Sequence, residues 1–174
     1  FDRMNTSGLN LQRGVWYHIA AVNKNGNRYL YVNGVNKTLN GTNITISANT
    51  DYLAIGTDYN KASPNSRNFK GKIDEVRIWS IARSQDDILK TMYKELSGSE
   101  TGLVAYYKMS NGSGTTLSDN KVNGSNSGTI TYGAEWTFSG CFAGSRNALN
   151  FDGNSKYVSF STSSSPLYNS NLFT

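Results

Sequence analysis

The chain has 174 residues, 37% of them hydrophobic, which suffices for one sizeable sandwich or for parts of two smaller ones and excludes a disordered tail. The formal net charge of +5 is spread over single basic residues such as Arg13, Lys24, Arg28, Lys37 and Lys61, and the lack of a run or helix-face cluster points away from nucleic acid as a partner. Cys141 is the only cysteine, which rules out a disulfide framework within the chain, and no apolar run approaches membrane-spanning length, so membrane insertion is not expected. Tyr, Gly, Ser and Asn are abundant while Pro is nearly absent, as many strands joined by tight turns require. The chain opens without an initiator Met, and Phe1 and Thr174 read as cuts through a larger polypeptide.

Trp16 to Val22 alternates, with Trp16, His18, Ala20 and Val22 on one face and Tyr17, Ile19 and Ala21 on the other, so a strand is expected. Asn25-Gly26 suits a type I′ turn, and the alternation resumes through Tyr29, Leu30, Tyr31 and Val32, completing a hairpin that ends at a second turn, Asn33-Gly34. Further strands are expected at Asn43 to Ser47, Tyr52 to Gly56 and Lys72 to Trp79, each bounded by turn-forming residues. The one helix begins after Ser84, where Asp87 three residues later completes a capping signal; Ile88, Leu89, Met92 and Leu96 form its apolar stripe, and Ser97-Gly98 ends it. Gly102 to Met109 reads as a buried strand, followed by a polar loop-rich stretch. Strand pattern returns at TITYG, around Trp136, and in a pair of short strands about the Asp152-Gly153 turn, and another strand starts at the final NLFT.

Together WYHIAAV, YLYVNG, LAIG and FKGKIDEVRIW with the short helix resemble the C-terminal half of laminin-G-like jelly rolls. GLVAYYKMSNGSGTTLSDNKVNGSNSGTI followed by ALNFDGNSKYVSF is similar to the N-terminal part of the same family. The resemblance implies an all-β, concanavalin A-like antiparallel β-sandwich, a jelly roll with one short helix. The halves stand in reverse of the family's order, and the central strands that would join them are missing. The reading is therefore 1–98 as the C-terminal half of one jelly roll and 99–174 as the N-terminal part of the next, or of the same one if the two parts pair as a permuted sandwich. The tandem array is preferred because truncated sheets leave apolar edges that need a partner.

Enzymes of the concanavalin A-like fold that cleave polysaccharides use two carboxylates on one sheet face, at i and i+2 or i+4 of a strand. Asp74 and Glu75 are adjacent and would point to opposite faces, and Asp86 and Asp87 are accounted for at a helix start, so no catalytic residues are expected. His18 is the only histidine and lies beside a probable core, as do Trp16, Trp79 and Trp136. The family implies a possible structural calcium, for which Asp74, Asp119 and Asp152 are the candidate ligands, against a reading of Asp119 and Asp152 as turn formers and Asp74 as a strand-end pin. Exposed aromatic faces beside hydrogen-bonding side chains would suit sugar, and Tyr52, Tyr59, Asn60, Asn65 and Arg67 in or near the loop DYNKASPNSRN are the candidate rim, against a packing role for the tyrosines and a merely solvated loop.

The function expected is a non-catalytic binding or adhesion module of a secreted or cell-surface protein. Its partners would be an extracellular glycan or protein and neighbouring repeats of the same polypeptide. The alternatives are a structural spacer repeat and a carbohydrate-binding accessory module of a polysaccharide-degrading enzyme.

Overall fold

The computed structural model describes residues 9–38, 53–57, 67–138, 140–141 and 147–160. The expected strand at Asn43 to Ser47 and the start of one at NLFT lie outside these residues. The described chain gathers into two compact units, one containing residues 9–38 and 79–94 and the other residues 53–57, 67–78, 95–138, 140–141 and 147–160.

In the first unit β1 (Ile19–Lys24) and β2 (Asn27–Val32) form an antiparallel hairpin that pairs Val22 with Tyr29 and Ala20 with Tyr31. Asn25 and Gly26 both take positive φ, +52° and +76°, as the sequence requires of that turn. Asn33 and Gly34 repeat the device and lead into β3 (Val35–Asn36), completing a three-stranded sheet. The first strand starts at Ile19 rather than Trp16. Ahead of it the His18 N–H donates to the Asn33 side-chain oxygen at 2.8 Å, and the Asn33 N–H returns a bond to the His18 carbonyl, also at 2.8 Å. His18 thus helps close a turn.

The helix α1 (Gln85–Thr91) has Ser84 as its N-cap, and Ser84 and Asp87 exchange side-chain and backbone hydrogen bonds in a full capping box. It is shorter than its apolar stripe suggests. Leu96 is buried but lies past the C-cap Met92, and its N–H goes to the Tyr106 hydroxyl at 3.1 Å instead of continuing a helical ladder. Trp79, at the start of this unit's second segment, carries the Arg83 guanidinium over its ring at 4.3 Å.

The second unit holds the larger core. β4 (Ala54–Ile55), β12 (Tyr157–Ser159), β9 (Gly128–Thr131) and β8 (Thr116–Leu117) lie in that order in one sheet, and β10 (Glu135–Thr137), β11 (Ala148–Asp152) and β5 (Lys70–Ile73) form another. β6 (Val76–Trp79) pairs with β7 (Leu103–Tyr107). Ile55, Tyr107, Met109, Leu117, Ile130, Leu149, Phe151, Val158 and Phe160 meet in a single buried cluster. The strands about Asp152-Gly153 form, but they diverge: β11 joins β5 and β10, while β12 joins β4 and β9. Among the described residues the architecture is mostly antiparallel β with a single short helix.

Strands from both sides of Gly98 hydrogen-bond to one another, β5 with β11 through Leu149 opposite Ile73 and β4 with β12 through Val158 opposite Ile55. Gly98 itself is packed within the second unit. It takes φ +87°, its carbonyl accepts from the Val122 N–H at 2.9 Å, and a Cβ there would lie 2.5 Å from the Asn120 carbonyl oxygen. The compact units therefore do not divide at residue 98.

The expected single strand from Lys72 to Trp79 is two. β5 ends at Ile73 and β6 begins at Val76, because Glu75 takes φ +55° and turns the chain between them. A left-handed residue cannot continue a pleat.

Candidate functional site

Two groups of residues bear on function: the carboxylates at the corners of the second unit and the outward face of its four-stranded sheet.

Asp74 sits at the corner between β5 and β6. One carboxylate oxygen accepts from the Glu75 N–H and the other from the Cys141 N–H, both at 2.9 Å, so it pins the strand end to the segment at Cys141. Cys141 lies outside any strand, and burial beside Asp74 pushes its thiol well above the ordinary range. Glu75 faces into the unit, where its carboxylate accepts from the Arg77 guanidinium at 2.8 Å and from the Tyr106 hydroxyl at 2.6 Å. Both members of the Arg77–Glu75 pair are nearly enclosed, with side-chain exposures of 8% and 9%. Burial raises the Glu75 carboxyl above its usual value, against the lowering effect of its hydrogen bonds from Tyr106 and Arg77. Burial likewise raises the Tyr106 phenol, which serves as a donor.

Asp119 is more than a turn former. Its Oδ1 accepts the Tyr106 and Lys121 N–H groups, each at 3.1 Å, and its Oδ2 accepts the Asn126 N–H and side-chain amide, each at 3.2 Å. Asp152 caps its own turn by accepting the Asn154 N–H at 2.8 Å, which holds its pKa low, and its other oxygen lies 3.4 Å from the Lys156 ammonium.

Calcium needs several oxygens with free lone pairs converging on one point. Asp119 gives its four acceptor positions to four N–H donors, and one oxygen of Asp152 lies beside the Lys156 ammonium. Among the described residues, no group of three or more His, Cys, Asp or Glu could hold a metal ion.

Of the expected sugar-binding rim, Tyr52, Tyr59, Asn60 and Asn65 lie outside the described residues. Arg67 is exposed beside the bridge between Thr57 and Asn68, and its carbonyl accepts from the Thr57 hydroxyl at 3.5 Å. Trp136 packs at the margin of the core and donates its indole N–H to the Gly114 carbonyl at 2.9 Å.

The sequence reading passed over the outer face of the β4-β12-β9-β8 sheet. Alternation buries Val158, Ile130 and Leu117, and so turns Tyr157, Ser159, Thr129, Thr131 and Thr116 outward. Thr131 and Ser159 hydroxyls lie 3.3 Å apart across the pairing, and the Tyr157 ring stands 5.8 Å from the Tyr132 ring. The signal was present as TITYG and YVSF, two hydroxyl-bearing, aromatic-ended alternations, but only their pairing places them side by side.

A sequence-family model described as the Concanavalin A-like lectin/glucanases superfamily, Laminin_G_3, matches residues 2–89. Neither the curated proteins nor the solved structures provide a match.

Proposed function

The chain belongs to the concanavalin A-like lectin/glucanase superfamily, and on that basis we propose that it is a non-catalytic binding module of a secreted or cell-surface protein, recognising an extracellular glycan or a protein partner in an adhesive role. Laminin-G-like domains usually occur in extracellular proteins, and no helix among the described residues is long and apolar enough to cross a membrane. The observation that carries the reading is the outward sheet face, where Thr116, Thr129 and Tyr132 are exposed and Thr131, Ser159 and Tyr157 half-buried on paired strands. The acids at the Asp74-Glu75 corner favour binding over hydrolysis. Asp74 holds the chain together through backbone bonds, and Glu75 is spent on Arg77 and Tyr106.

We also read the parts on either side of Gly98 as one permuted jelly roll, supported by the β4–β12 and β5–β11 pairings. The functional test combines a glycan array with a reducing-sugar assay on the polysaccharides bound. Binding without release of reducing ends is the expected result. Turnover of any bound glycan would replace this reading with a hydrolytic one.

A further inference from the structure

Tyr132 is 69% exposed and holds a left-handed backbone, φ +55°, followed by Gly133 at +77°. A tyrosine gains little there: its Cβ is strained, and most of its ring faces water instead of a core. Glycine or asparagine would make the same turn at lower cost. The ring lies against Tyr157, with centroids 5.8 Å apart and planes inclined at 52°. From this pair the sheet runs on as a polar surface of Thr131, Ser159, Thr129 and Thr116.

We propose that Tyr132 and Tyr157 form a stacking platform, continued by the Thr131 and Ser159 hydroxyls, that binds a neutral hexopyranose polysaccharide; this rests on the glycan reading above and gives it a site. A pyranose ring presents an apolar C–H face that packs on a tyrosine ring, while its equatorial hydroxyls seek donors and acceptors at its edge. Ring and hydroxyls occur here side by side on paired strands. A protein partner fits less well, since protein hot spots favour Trp, Tyr and Arg in desolvated pockets and are poor in Ser and Thr. Charge selects among glycans. The one cation beside Tyr157 in sequence, Lys156, lies 3.3 Å from Glu135 and 3.4 Å from Asp152, so the trio sums to one negative charge. A sulfated or uronate-rich chain would be repelled there, and a neutral one would not.

The test is affinity electrophoresis of the 174-residue chain through gels carrying a mixed-linkage β-glucan, a galactomannan or a xyloglucan, with heparin as the polyanion. The variants are Tyr132→Gly, Tyr157→Ala and Tyr157→Phe, and thermal unfolding is recorded for each. At least one neutral polysaccharide should retard the parent. Tyr132→Gly should weaken binding about fivefold or more while its unfolding midpoint stays level or rises, because glycine relieves the backbone strain. Tyr157→Ala should weaken binding similarly, and Tyr157→Phe should largely keep it. Undiminished binding in both Tyr132→Gly and Tyr157→Ala overturns the platform and leaves the glycan reading standing. Retardation by heparin alone overturns the neutral class, and no retardation by any gel overturns the glycan reading and the platform together.

Discussion

Asp119 shows how one side chain organises a loop that composition alone would call unstructured. Its carboxylate gathers N–H groups from β7, from Lys121 and from Asn126, so a strand and two turns share one anion. Asp119→Asn presents an amide NH₂ to donors that need acceptors, and we expect a loss of about 2–4 kcal/mol in urea unfolding; a change below about 0.5 kcal/mol would mean that water satisfies those groups equally well. The same geometry predicts that chelation leaves the thermal midpoint unchanged, and a calcium-dependent rise would locate a cation site elsewhere in the chain. Glu75 makes the complementary case. Because burial raises its pKa, the folded state holds the proton more tightly than the unfolded chain, so its contribution to stability falls as pH rises from the ordinary glutamate range through the folded value. Glu75→Gln should remove that slope from the pH profile of unfolding. A profile that keeps it assigns the dependence to another group.

Among the elements, those whose cause is local were the legible ones. The hairpin turns at Asn25-Gly26 and Asn33-Gly34 and the capping box at Ser84 were readable because each is specified by two to four neighbouring residues. Ser84→Ala should cost about 1 kcal/mol by chemical denaturation. Asp87, whose carboxyl is held low by its bond from Ser84, should lose its part of the cap as pH falls through that lowered value. Where the sequence misled, a longer-range contact had prevailed. The helix ends at Met92 and Leu96 beyond it bonds to Tyr106, and the Lys72 to Trp79 strand breaks where Glu75 turns toward Arg77 and Tyr106. The hydroxyl-lined face was invisible for the same reason. Thr131 and Tyr157 are 26 positions apart, and only strand pairing makes them neighbours.

At the scale of the whole chain, the decisive information was which strand pairs with which, and a repeat-like sequence is ambiguous on that point. The motifs on either side of Gly98 read as parts of a jelly roll in reversed order, an expectation from local pattern, which cannot say whether they belong to one sheet or two. The structure pairs Ile73 with Leu149 and Ile55 with Val158, and gathers Ile55 from one side with Leu117, Leu149, Phe151 and Val158 from the other in one core. Close packing makes that pairing exacting: Gly56, at φ +94°, lies so near Phe151 that an added Cβ would stand 2.3 Å from the ring. If the parts are one cooperative body, polypeptides 1–98 and 99–174 made separately should each lack a cooperative unfolding transition, because each keeps strands whose hydrogen-bonding partners lie in the other. Mixed at equal concentration they should regain near-native β-sheet circular dichroism and a single transition, and Gly56→Ala in the first piece should weaken that association by forcing its Cβ into the Phe151 ring. Independent cooperative folding of either piece would show that the cross-pairings are dispensable and would return the chain to a tandem arrangement of half-domains.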